Sequence, residues 1–140
     1  MRVLLDTNVL LAALVSPSGP PDRLYRAWRA GRFELLTSAE QTDELRRASR
    51  YPKLRAILPP HRAGALVNHL HRAVMLAGLP PPPPALSLND AADAFLVAMA
   101  IGGEAQWLVT GDRRAGLLAM GRIGSARVVT PAVFCREVLD

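Results

Sequence analysis

Residues 2–15 read Arg2-Val3-Leu4-Leu5-Asp6-Thr7-Asn8-Val9-Leu10-Leu11-Ala12-Ala13-Leu14-Val15, and the fold turns on how they divide. The apolar burst Val3-Leu4-Leu5 is short enough to be a buried strand. Asp6-Thr7-Asn8 supplies the polar break at which the chain passes into a helix predicted over 7–15. The same strand signal recurs at 33–37, 106–110 and 126–130, each run ending in a polar residue or a proline. Helices are predicted between and after these runs at 21–30, 38–50, 60–76, 89–101 and 131–139. Ser38 followed by Gln41 reads as a capping box for the second of them. Strands alternating with helices imply right-handed crossovers, and hence an α/β fold of three layers around a mainly parallel sheet.

The chain has 140 residues, enough to bury a core and the length of one ordinary domain, so a single domain over 1–140 is expected. Half the residues are hydrophobic and 21% are charged, a mixture that excludes wholesale disorder and a fibrous chain. The longest apolar run, Ala94 to Ile101, is too short to span a membrane, which takes roughly 20 apolar residues. The N-terminal run is interrupted by Asp6 and Asn8 and no small-residue cleavage site follows it, so a cytoplasmic protein is expected. One cysteine, Cys135, forms no internal disulfide and has no Cys or His cluster beside it. The net charge of +5 favours polyanionic partners. Of 17 cations 16 are arginine, which suits phosphate contacts, although a GC-rich coding sequence produces the same bias. Five consecutive prolines, 80–84, cannot continue a helix and should form an extended connector.

Four carboxylates stand out by position. Asp6 ends the first strand and Asp112 follows the 106–110 strand, at the edge of a parallel sheet where ligands bind. Each alone could simply cap the next helix. Asp90 and Asp93 are three residues apart and share a helix face, with Asp93 bordering an apolar stretch where a carboxylate demands a partner. Glu44, within the 38–50 helix, could equally be a surface acid paired with Arg47. Gathered at one sheet edge, Asp6, Glu44, Asp93 and Asp112 would repel one another unless a hard cation neutralised them, and all-oxygen donors suit Mg²⁺ or Mn²⁺.

These residues resemble the PIN domain, the nuclease fold of VapC-type toxins and related ribonucleases. The resemblance is carried by Asp6-Thr7-Asn8-Val9-Leu10 after the first strand, Glu44-Leu45 in a helix, Asp90-Ala91-Ala92-Asp93 with the apolar run behind it, and Leu108-Val109-Thr110-Gly111-Asp112. The four motifs stand in the family's order, and Val128 to Phe134 resembles a closing strand and helix of one branch. The resemblance implies a three-layer PIN-like fold with a four- to five-stranded sheet, for which 85–88 is the candidate fifth strand. It also implies metal-dependent hydrolysis of RNA, with Asp6, Glu44, Asp93 and Asp112 as catalytic acids and Asp6, Asp93 and Asp112 holding Mg²⁺ or Mn²⁺. Thr7 and Asn8 match positions that brace the site, and Thr110 matches a hydroxyl beside the metal. Ala91 and Ala92 depart from relatives that carry further aspartates there; the loss thins the cluster, leaves Asp90 as an auxiliary acid and puts a second metal in question. Partners implied by the resemblance are an RNA substrate, a cognate antitoxin protein and a second copy of the chain in a homodimer.

Outside the four acids the balance is strongly cationic, and Arg46, Arg47, Arg50 and Lys53, with Arg55, form a cluster beyond Glu44 that could track an RNA backbone. A solvated helix face is the plainer reading of the same cluster. His61, His69 and His71 are scattered and suit surface or packing roles. Among rival readings, a phosphoryl-accepting Asp6 lacks the lysine expected after a late strand, since the sole lysine is Lys53, and Asn8 stands where that chemistry wants a second acid. No Gly-x-Gly-x-x-Gly follows the first strand, which argues against a nicotinamide-binding domain. The other alternative is a non-catalytic PIN-fold module that binds RNA or protein, against which the intact acids argue.

Overall fold

The computed structural model describes residues 1–79, 91–111 and 116–140. Its elements in chain order are β1 (Arg2–Leu5), α1 (Thr7–Val15), α2 (Pro20–Arg29), β2 (Glu34–Ser38), α3 (Ala39–Ser49), α4 (Pro52–Arg55), α5 (Pro60–His69) and β3 (Val74–Leu76). They continue with α6 (Ala91–Gly102), β4 (Trp107–Val109), α7 (Leu117–Met120), β5 (Arg122–Ile123), β6 (Ala126–Val129) and α8 (Pro131–Phe134). The sheet runs β3-β2-β1-β4-β6-β5, and every pairing is parallel except β5 with β6.

Strand periodicity divides the core into two layers, as a sheet covered on both faces requires. Val3 and Leu5 of β1, Leu35 of β2 and Val109 of β4 point into one cluster with Leu10, Leu24, Leu45, Leu66 and Phe134 from the helices. Leu4, Leu36 and Leu108 point the other way, against Leu96, Val97 and Met99 of α6 and Leu117 of α7. The local rules are visible at the helix ends. Asp6 caps α1 by accepting the Asn8 amide at 3.3 Å, and Ser38 caps α3 by accepting the Gln41 amide at 3.1 Å. Helix α2 opens on Pro20-Pro21 and closes on Gly31, whose φ of +80° lets Arg32 and Gly31 donate back to Ala27 and Trp28.

The expected three-layer architecture and parallel core are therefore present, with two corrections. The sheet has six strands among the described residues rather than four to five. The helix predicted over 60–76 stops at His69, passes through one tighter turn at Leu70–Arg72, and gives way to β3. Three residues are too few to break an apolar pattern that a helix also satisfies, so this edge strand is hidden from periodicity. Strand β5 is only two residues long, and its signal is the Gly124-Ser125 pair that turns it back onto β6, with Gly124 at φ +56°. The 85–88 strand candidate and the proline run 80–84 lie outside the described residues. The predicted C-terminal helix is present as α8 followed by a wider π-helical turn, Cys135–Leu139. No described helix is long and apolar enough to cross a membrane.

Candidate active site

Parallel register assembles the site. Leu5 of β1 lies beside Val109 of β4, so the next residues, Asp6 and Thr110, emerge together at the carboxyl edge although 104 positions separate them. The Asp6 amide donates to the Val109 carbonyl at 2.9 Å, and the Thr110 amide donates to Val129 at 3.0 Å, which anchors both residues to the sheet. The Thr110 hydroxyl donates to Asp6 Oδ2 at 2.8 Å, while the Asn8 amide donates to Oδ1. Asp6 is 8% exposed and Thr110 fully buried. Such oriented hydrogen bonds onto a carboxylate are what outer partners of a metal ligand provide.

Thr7, one residue on, turns toward α3 and donates its hydroxyl to Glu44 Oε2 at 3.2 Å. Glu44 is thereby set apart from an ordinary surface acid of that helix. Asn8, Glu44 and Arg47 line one cleft together with Phe95 of α6. Asp93 stands in the first turn of α6, two residues before Phe95, and is 6% exposed. The predicted residues Asp6, Thr7, Asn8, Glu44 and Thr110 thus form one connected constellation, with Asp93 buried on the helix that helps wall its cleft. Asp90 and Asp112 lie outside the described residues.

The cationic cluster divides. Arg47 shares the cleft with Glu44, whereas Arg46 and Arg50 line a separate groove with Arg55, between α3 and α5. Arg46 also pairs with Asp43 at 3.4 Å. Lys53 lies on the exposed turn α4.

One residue of the site escaped sequence reasoning. Gln41 is almost completely buried, and its side chain does not bond the Ser38 amide as a capping box would. Instead Nε2 donates to the Leu5 carbonyl at 2.7 Å and Oε1 accepts the Thr37 hydroxyl at 2.8 Å. It ties α3 to the residue immediately before Asp6. The available signal was its place four positions ahead of Leu45, on the inward face of α3.

Among the described residues no three His, Cys, Asp or Glu side chains stand close enough to hold a metal ion. The donors that are present are nonetheless of one chemical kind: carboxylates, Asp6 and Asp93 buried and Glu44 half-buried, with hydroxyls on Asp6 and Glu44 and no imidazole or thiolate among them. Hard oxygen donors of this sort fit Mg²⁺ or Mn²⁺ rather than a softer metal.

A strand-end aspartate held by a threonine of the neighbouring strand, with a helix-borne glutamate beside it, marks an acidic site at the carboxyl edge of an α/β sheet. The chain belongs to the PIN domain family, whose model matches residues 2–114. Among solved structures, the fold is similar to a chain of VapBC2 from Rickettsia felis bound to a DNA fragment from their promoter. The TM-score is 0.57 with 18% identity, over 93% of this chain and 98% of that one, a likeness of fold. No curated protein sequence matches the chain.

Proposed function

We infer that this PIN domain is a metal-dependent endoribonuclease and the toxin of a type II toxin–antitoxin pair. The observation that carries the nuclease reading is the Thr110–Asp6 and Thr7–Glu44 hydrogen-bonded constellation at the carboxyl edge of the sheet. Asp6, Asp93 and Asp112 are the residues that would hold Mg²⁺ or Mn²⁺. When bound, such an ion shields phosphate charge and lowers the pKa of a water that attacks phosphorus.

The chain's own residues account for the rest. The hydroxyl of Thr110 and the amide of Asn8 each donate to one oxygen of the Asp6 carboxylate and so fix its plane. Glu44, aligned by Thr7, would orient the attacking water and accept its proton as the new phosphorus–oxygen bond forms, while the bond to the departing ribose oxygen breaks and that oxygen takes a proton from solvent. Arg47, in the same cleft, supplies a positive charge for the phosphate chain. No protein nucleophile is needed. The likeness to a VapBC2 chain supports an antitoxin partner for this protein.

The test is cleavage of a labelled, structured RNA mixture by purified protein with Mg²⁺ or Mn²⁺, alongside chelator and the Asp6→Asn and Asp93→Asn variants. Cleavage that requires both metal and both aspartates is expected. Undiminished cleavage by Asp93→Asn overturns the assignment of the metal site. Metal and RNA binding without cleavage under any condition returns the protein to the non-catalytic alternative. Growth arrest on expression, relieved by Asp6→Asn, tests the toxin assignment separately.

A further inference from the structure

The cleft beside Glu44 has a volume of about 450 Å³, within the ~300–1,000 Å³ usual for ligand sites. Two of its walls are aromatic, Tyr51 from the turn after α3 and Phe95 from α6. The chain has only seven aromatic residues, and the others are engaged elsewhere. Tyr25 and Trp28 contact each other, while Phe33 and Trp107 both pack edge-on against Phe134. Phe95 leans on the core but remains partly open. Tyr51 stands apart at 61% exposed, the one exposed aromatic among the described residues.

Its backbone is nevertheless held firmly. The Tyr51 amide donates to the Ala48 carbonyl at 3.1 Å, and its own carbonyl accepts the amides of Leu54 and Arg55, each at 2.9 Å. Pro52 then starts α4 with a fixed backbone angle. The turn therefore presents a large apolar ring to solvent beside a cleft that also contains Arg47 and two acids, Glu40 and Glu44. Exposed there, the ring belongs to neither core cluster. It has the character of a stacking platform, with a cation beside it for the adjoining phosphate.

We propose that Tyr51 and Phe95 flank a slot for one unpaired nucleobase of single-stranded RNA, that Tyr51 is its stacking surface, and that Arg47 takes the neighbouring phosphate. The proposal rests on the ribonuclease reading of the same cleft and makes Tyr51 a specificity-determining residue. Bases in a duplex are stacked on each other and cannot offer a face to the ring, so the slot selects loops and single strands.

Binding is measured in EDTA, where metal-dependent cleavage is absent, using fluorescein-labelled single-stranded RNA and a duplex of the same sequence. Tyr51→Ala is expected to weaken single-strand binding ~10-fold or more, and Tyr51→Phe to stay within about twofold of the unmutated protein. Duplex binding should be indifferent to both changes. A 2-aminopurine placed in the strand should be quenched by the unmutated protein and Tyr51→Phe but not by Tyr51→Ala. Single-strand binding unaltered in Tyr51→Ala, equal losses in the Ala and Phe variants, or equal losses on duplex each overturn the slot. Failure of the nuclease reading has a different signature: no cleavage with any metal, while Tyr51-dependent single-strand binding persists.

Discussion

Replacing Gln41 with leucine tests whether the buried bridge between α3 and β1 organises the site. Leucine keeps the apolar bulk but removes the donor to the Leu5 carbonyl and the acceptor for the Thr37 hydroxyl, at 2.7 Å and 2.8 Å. Both groups are left inside the protein, since Thr37 is fully buried and Leu5 nearly so. An unsatisfied buried polar group costs about 1–3 kcal/mol, so two place the loss at roughly 2–6 kcal/mol. In a chain of this size that corresponds to a fall in melting temperature on the order of 10 °C, or in the urea midpoint of about 1–3 M. Urea unfolding followed by the fluorescence of Trp28 and Trp107 reads the change. The mechanism predicts more than a total: adding Thr37→Val removes one of the stranded groups. The double variant should therefore be more stable than the sum of the single losses by about 1 kcal/mol. Because the Leu5 carbonyl immediately precedes Asp6, any RNA cleavage should fall as well. A Gln41→Leu loss below about 0.5 kcal/mol, or strict additivity with Thr37→Val, would refute the reasoning.

Four further outcomes are expected. Thr110→Val should lower Mn²⁺ affinity or cleavage by ~10–100-fold, read by titration calorimetry and initial rates, because it deletes the hydroxyl that orients Asp6; Thr110→Ser should recover most of the loss. Gly103→Ala should destabilise the fold by about 1–3 kcal/mol in the same urea assay, since an added Cβ would stand 2.8 Å from the Leu36 side chain and 2.9 Å from the Met99 carbonyl. Burial, with Arg29 and Arg72 nearby, pushes the His69 pKa below its usual value of 6.5. The unfolded chain then binds the proton more readily, so stability should decline as pH falls through 6.5 toward the lowered folded value, and His69→Asn should flatten that slope in melts across pH 5 to 8. Burial raises the pKa of the Cys135 thiol, which is 1% exposed, so alkylation by iodoacetamide at neutral pH should follow unfolding rather than compete with it.

Much of the architecture was legible because two periodicities dominate the chain. The apolar runs at Val3-Leu4-Leu5, Leu35-Leu36 and Leu108-Val109 face helices on both sides of the sheet, and a strand buried on both faces cannot be mistaken for a loop. Helix starts were equally clear at Asp6 and Ser38, and at Pro21 to within one residue of the observed start, where a side chain or a fixed backbone angle acts locally. What escaped was short or had its signal in a neighbour. Strand β3 is three residues at the end of a helix-like pattern, and β5 exists only because Gly124-Ser125 folds it back on β6.

For the site, the sequence by itself determined which residues are the candidates for the proposed chemistry: a strand-end aspartate followed by Thr7 and Asn8, a helix-borne Glu44, and Asp93 at the head of an apolar helix. Their types and local positions are properties of the chain over a few residues. Only the tertiary structure decided that Thr110 holds Asp6, that Thr7 holds Glu44, that Gln41 serves the sheet rather than its own helix, and that Arg47 parts company with Arg46 and Arg50. These pairings depend on strand register and helix rotation, which are set by packing across the whole core. A local pattern can name a polar side chain, but the partner it meets is chosen by residues as far as 104 positions away.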